Sequence, residues 1–221
     1  AVRLACYARL HREDLEYSHL ASPVLLHLRG LMAERKHYTA ALAGIKNFEQ
    51  APKPKDCTST DERILECRKF LEEKIRAVEQ EMHDLIRQDT DFLKSYTLLV
   101  SIKGISLVNA VNTIVYTNNF KSFETPRQYA CYIGVAPFDH SSGTSVRGKT
   151  QVSKICRTQQ KAELSMAARC AIVHDPGLKR YYQRKMKEKG GGKNAHGVVL
   201  NAIKFKLILR MFSVVRSGEP Y

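Results

Sequence analysis

The sequence predicts a mainly α chain: a long antiparallel helical hairpin over residues 22–94, then a compact, basic, mostly helical domain over 95–221 with a turn-rich central loop. Three observations predict it. Two apolar stripes at alternating four- and three-residue spacing flank a Pro-rich turn, as two helices packed along a seam require. No segment alternates apolar and polar residues convincingly enough for a half-buried strand. The formal charge of +14 is also uneven: residues 121–221 hold 19 Lys and Arg against 6 Asp and Glu, whereas residues 1–99 hold 16 of each.

Ser22-Pro23 reads as a helix start, with Ser as N-cap and Pro at the first helical position. Val24, Leu28, Leu31, Arg35, Tyr38, Leu42 and Ile45 then form the first seam, with one polar break at Arg35. Ala51-Pro52-Lys53-Pro54-Lys55 cannot continue a helix. Ser59 with Glu62 predicts a capping box. Ile64, Arg68, Leu71, Ile75, Val78, Met82 and Leu85 form the second seam. A hairpin this long cannot bury its own stripe fully, so it is expected to pack against another copy of the chain or another domain. Membership of an ordinary helical bundle fits equally well.

Lys103-Gly104-Ile105, between apolar runs and followed by Ala110, resembles a helix-hairpin-helix turn, which offers backbone N–H groups to a phosphate; a plain buried turn reads the same. Pro126, Gly134, Pro137, Gly143 and Gly148 leave room for one short helix, Arg127 to Ile133. Residues 151–173 read as helix with Leu164, Ala167, Ala168, Ala171 and Ile172 on one face. Asp175-Pro176-Gly177 stops it. A basic helix from Leu178 to Lys189 runs into Gly190-Gly191-Gly192. Asn194 is expected to cap a last helix, with Val199, Ile203, Leu207 and Met211 buried and Lys204, Lys206 and Arg210 turned outward or toward a ligand.

The six cysteines, at 6, 57, 67, 131, 156 and 170, show no CxxC spacing and no nearby His pair, so they read as reduced thiols rather than a metal site or disulfide framework. No run of eighteen apolar residues predicts a membrane span. The chain opens on Ala1 in mid-pattern, which predicts a piece of something longer, and the scattered cysteines predict a cytoplasmic protein. The basic half predicts a polyphosphate partner.

The densest chemistry lies from Gly134 to Arg157. Adjacent hydroxyls, Ser141 and Ser142, precede Gly143, and Arg147, Lys149, Lys154 and Arg157 follow. A serine that attacks a phosphodiester needs fixed cations to match charge on the phosphorane. Gly143 would let backbone approach a phosphate. A solvent-facing Ser-Gly turn decorated with bases would look the same. Asp139, Glu163 and Asp175 could be imagined as a metal triad, but their spacing puts no two on one helical face. His140 could serve as a base. His174 fits a helix C-terminal residue beside the dipole.

These residues carry a resemblance. Lys103-Gly104-Ile105 with Ala110, Phe120 and Phe123, Tyr129 to Cys131, Gly134-Val135-Ala136-Pro137, Ser142-Gly143, Val152-Ser153-Lys154 and the Ala167-Ala168 helix occur in one order. In this the stretch from Ile102 to Val215 is similar to the C-terminal domain of bridge-RNA-guided insertion-sequence transposases, which are related to Piv-type DNA invertases. The resemblance implies a DNA transposase in which a serine, here Ser142, becomes joined to DNA during strand exchange. Arg147, Lys149, Lys154 and Arg157, with Lys103 and Gly104, would bind nucleic acid. It further implies DNA as substrate, a structured guide RNA and a homo-oligomer paired through the hairpin. Residues 1–21 look like the tail of an upstream RuvC-like domain, whose acidic quartet and Mg²⁺ would lie outside this chain. The alternative from the residues alone is a non-catalytic nucleic-acid-binding and oligomerisation module.

Overall fold

The computed structural model describes residues 2–13, 22–51, 58–138, 141–142, 146–147, 151–152 and 156–221. The described residues are mainly α-helical, as the sequence predicts. Helix α1 (Val2–Leu10) has no buried residue. Helix α2 (Pro23–Gln50) starts as expected: Ser22 Oγ accepts from the Leu25 N–H at 3.3 Å and Pro23 fills the first turn. Helix α3 (Thr58–Gln88) returns antiparallel to it. The direction is fixed by ion pairs that climb one helix as they descend the other: His27–Glu81 at 3.1 Å, Arg35–Glu79 at 2.7 Å, Lys46–Glu72 at 3.7 Å and Glu49–Arg68 at 3.4 Å. Arg35, the polar break in the first seam, therefore has a partner across the hairpin. Helix α3 already includes Ser59, so the predicted capping box does not mark its start.

The hairpin changes character along its length. At its base Leu25, Leu28, Leu31 and Met32 of α2 and Val78, Met82 and Ile86 of α3 join the main core. Towards the Pro-rich turn the same seam is only half-covered at Tyr38, Leu42, Ile45, Leu71 and Ile75. Two helices alone cannot enclose a stripe.

Asp89 caps helix α4 (Thr90–Val100) by accepting from the Asp91 and Phe92 N–H groups. A tight turn leads into α5 (Leu107–Thr117). Asn118, Asn119 and Phe120 then take positive φ in succession. This left-handed run is held by the buried Thr117 hydroxyl, which accepts from the Phe120 N–H at 2.9 Å, and by the Phe120 ring packed edge-on to Phe212. Helix α6 (Pro126–Tyr132) begins with a capping box at Thr125 and Gln128 and matches the predicted short helix.

Helix α7 (Thr158–His174) buries the small face foreseen for it, and α8 (Pro176–Glu188) follows the Asp175 cap. Helix α9 (Gly192–Ser217) is the central rod of the core. It buries Val199, Ile203, Leu207 and Met211 as predicted, and Leu200, Ile208 and Phe212 besides. It starts at Gly191–Gly192 rather than at an Asn194 cap. One core thus runs from the hairpin base through α4, α5, α7 and α9. Among the described residues no helix is long and apolar enough to cross a membrane.

Candidate nucleic-acid interface

The segment that carries the paired serines is a ribbon, which the sequence did not foretell. Strand β1 (Pro137–Phe138) pairs antiparallel with β4 (Gln151–Val152), in register Pro137 to Val152 and Phe138 to Gln151. Between these in sequence, β2 (Ser141–Ser142) pairs antiparallel with β3 (Val146–Arg147) as a second two-stranded ladder, Ser141 to Arg147 and Ser142 to Val146. The chain from 151 is therefore strand before it is helix, and α7 begins only at Thr158. The backbone of Ser142 lies in this second ladder, one residue-pair from that of Arg147. Lys149 and Lys154, with Asp139 and His140, lie outside the described residues.

The ribbon is rooted in the core. Val135 and Ala136 are fully buried, and both their N–H groups bond to the Ala130 carbonyl, at 2.8 and 3.1 Å. From the central helix Asn201 Nδ2 donates to the Val135 carbonyl at 2.7 Å. At the other root stands Arg157, exposed to solvent. Its Nε donates to the Tyr132 hydroxyl at 3.0 Å, and its guanidinium lies 5.6 Å from the Tyr132 ring centre and 6.0 Å from that of Tyr116. Two aromatic rings fix the guanidinium without cancelling its charge.

Lys103 and Gly104 lie elsewhere. Gly104 has φ +97°, and a Cβ there would stand 2.6 Å from the Ala167 carbonyl oxygen and 2.8 Å from the Ala171 Cβ. Ile102 and Ile105 are buried on either side, and Lys103 is exposed. The glycine is thus needed for the α4–α5 turn to sit on α7. Ala167 is ten residues along α7 from Arg157, about 15 Å at the helical rise. The four described among the six predicted binding residues do not form one cluster: Arg147 and Arg157 belong to the ribbon and its root, Lys103 and Gly104 to a separate turn.

Glu163 and Asp175 do not share a metal centre. Glu163 on α7 and Asp175 just past its end stand twelve residues apart, about 18 Å, and among the described residues no group of three His, Cys, Asp or Glu could hold a metal. Asp175 is nearly buried and fully engaged. One oxygen accepts from the Leu178 N–H at 2.9 Å, and the other from Arg210 Nη1 at 2.6 Å. Burial pushes its carboxyl up, but these bonds and the Arg210 charge outweigh it and hold it below the usual range. Burial raises the Glu163 carboxyl, opposed in part by a 3.1 Å bond from Gln159. The described cysteines are free thiols.

Sequence reasoning also missed a buried cation. Lys204, expected to turn outward or toward a ligand, is 6% exposed and donates to Ser165 Oγ at 3.2 Å. Burial first, then the charges of Lys161 and Arg169, push its ammonium down to about 8.

Residues 96–183 match the model of the Transposase IS116/IS110/IS902 family, a span that includes the α4–α5 turn, the ribbon and α7. The chain is 23% identical over 195 residues to the pilin gene-inverting protein of Moraxella lacunata, covering 88% of this chain and 58% of that protein. It is 28% identical over 154 residues to the insertion element IS110 uncharacterized 43.6 kDa protein of Streptomyces coelicolor, covering 68% and 37%. It is 25% identical over 146 residues to the probable family 20 transposase of Pseudomonas aeruginosa, covering 65% and 42%. The chain thus spans between 37% and 58% of the length of these relatives.

Proposed function

We propose that this chain is the strand-exchange part of a DNA transposase or site-specific recombinase, with Ser142 as the nucleophile. The observation that carries the reading is the ribbon. It sets the Ser141–Ser142 backbone beside that of Arg147, on a base fixed by Arg157 and Asn201, inside the span that matches a transposase family. The names of the relatives, transposase and gene-inverting protein, support DNA as the substrate.

The chemistry is ester exchange at phosphorus. The serine oxygen forms a bond to phosphorus as one deoxyribose oxygen leaves, and the serine proton is lost as the sugar hydroxyl gains one. Attack by a different sugar hydroxyl reverses the step and joins the new strand. One phosphodiester replaces another, so no external energy source is needed. The cations Arg147, Lys149, Lys154 and Arg157 stabilise the phosphorane, and Lys103 at the α4–α5 turn binds backbone further along. The described residues do not fit a Mg²⁺ site, because Asp175 is committed to Arg210 and Glu163 lies too far away to share an ion with it. Any metal in the whole protein is held by other residues. A guide RNA and pairing of copies through the half-covered hairpin complete the reading.

The test is strand exchange by the full-length protein. Ser142→Ala is expected to lower it by more than about 10³-fold, as loss of a nucleophile does elsewhere, with DNA binding retained. Ser141→Ala is expected to be far milder. Strand exchange that survives Ser142→Ala leaves a nucleic-acid-binding and oligomerisation module in place of the enzyme.

A further inference from the structure

Helices α8 and α9 enclose a surface groove of about 700 Å³. Four of its lining side chains are cations: Arg180 and Arg184 one turn apart on α8, Lys206 and Arg210 one turn apart on α9. Residues four apart share a helix face, so each helix brings a two-cation edge to the groove.

Tyrosines hold three of these cations. Lys206 Nζ lies 4.5 Å from the Tyr181 ring centre and the Arg184 guanidinium 5.7 Å from the same ring. The Arg210 guanidinium lies 4.3 Å from the Tyr221 ring centre. An aromatic face attracts a cation through its quadrupole but has no net charge, so it positions the cation without neutralising it. The carboxylates nearby are already matched: Asp175 to Arg210 at 2.6 Å, Glu188 to Arg184 at 3.6 Å. Arg180 and Lys206 meet no carboxylate within ion-pair distance among the described residues. The hairpin is built differently, with Arg35, Lys46 and Arg68 each facing a Glu. With Arg184 and Arg210 matched by carboxylates, Arg180 and Lys206 remain as the groove's excess positive charge, and an incoming anion relieves their repulsion.

We propose that this groove is a phosphodiester-backbone site for a nucleic-acid strand, separate from the ribbon. The unpaired Arg180 guanidinium fork suits paired phosphate oxygens, and Lys206 supplies a point charge. Arg210 lies nine residues beyond Asn201 along α9, about 14 Å from the root of the ribbon. A duplex gripped at both places would span roughly four base pairs between them. The site does not depend on the role given to Ser142.

The experiment is a salt titration of binding by the full chain, on duplex DNA and on single-stranded RNA of equal length. The double variant Arg180→Gln with Lys206→Gln removes two charges that have no ion-pair partner and leaves Tyr181 in place. A control of equal charge loss, Arg29→Gln with Lys69→Gln, sits on exposed hairpin positions. The groove variant is expected to flatten the log–log slope by about 1.8 on duplex DNA or about 1.4 on a single strand, and the control to flatten it less. The polymer that shows the loss identifies the strand. An unchanged slope on both polymers, or equal flattening by groove variant and control, overturns the proposal. Ser142→Ala run alongside keeps the parent slope, so failure of the strand-exchange reading would leave this result standing.

Discussion

Lys204 is an ammonium enclosed by α7 and α9, with a serine hydroxyl as its hydrogen-bond partner and two cations nearby. Unfolded, the amine keeps its proton to about pH 10.5; folded, it releases it near pH 8. Between these values the unfolded chain binds more protons, so stability rises with pH across that window. Below it the full cost of the buried charge is present. Lys204→Met is therefore expected to stabilise the fold at pH 7 by on the order of 1 kcal/mol after discounting for solvent screening. The gain should fade as pH climbs toward 10.5. Urea unfolding of parent and variant at both ends of the window checks this, and an equal gain throughout would assign the effect to packing instead. Spacing alone could not place this residue. Lys204 adjoins the predicted stripe of Ile203 and Leu207, but α9 is also covered over Leu200 and Ile208, and a helix buried on several faces erases the amphipathic signal.

At the level of elements, the α4–α5 turn and α7 meet through absent side chains. Gly104 lets the turn backbone touch Ala167 and Ala171. Gly104→Ala is expected to cost about 3 kcal/mol or more, through both the overlap and the positive φ. Gly44→Ala, inside α2 with open space around it, should instead stabilise by about 0.5–1 kcal/mol. Opposite shifts in Tm check the pair. The two hairpin helices, the Ala-rich face of α7 and the stripe of α9 were legible because their spacing is local and periodic. The Ser22 cap was legible for the same reason. The ribbon was not: strands two residues long contain no alternation to read, and only the fold shows Ser142 paired with Val146. The partner of Gly104 was hidden too, because α7 lies some sixty residues further on in sequence. A two-helix arrangement of cations one turn apart at Arg180/Arg184 and Lys206/Arg210 was written in the sequence, but only the fold shows the two edges facing one groove.

Over the whole molecule, charge divides as the sequence divides it. In the hairpin Arg35, Lys46 and Arg68 pair with glutamates, while Arg157 at the ribbon root and Lys206 in the α8–α9 groove rest on tyrosines. If about six Lys and Arg neutralise phosphates, the log–log salt slope of the parent chain on duplex DNA should be near −5. A slope near zero would remove nucleic acid as the partner. The shared core has a mechanical corollary. Leu25, Leu28 and Met82 belong to the same packed interior as Leu207 and Phe212, so the hairpin joins the body as a beam set into a wall, with no joint between them. A load on the far end of that beam, some 40 Å along it, would therefore be carried into the same interior that roots the ribbon at Val135 and Ala136.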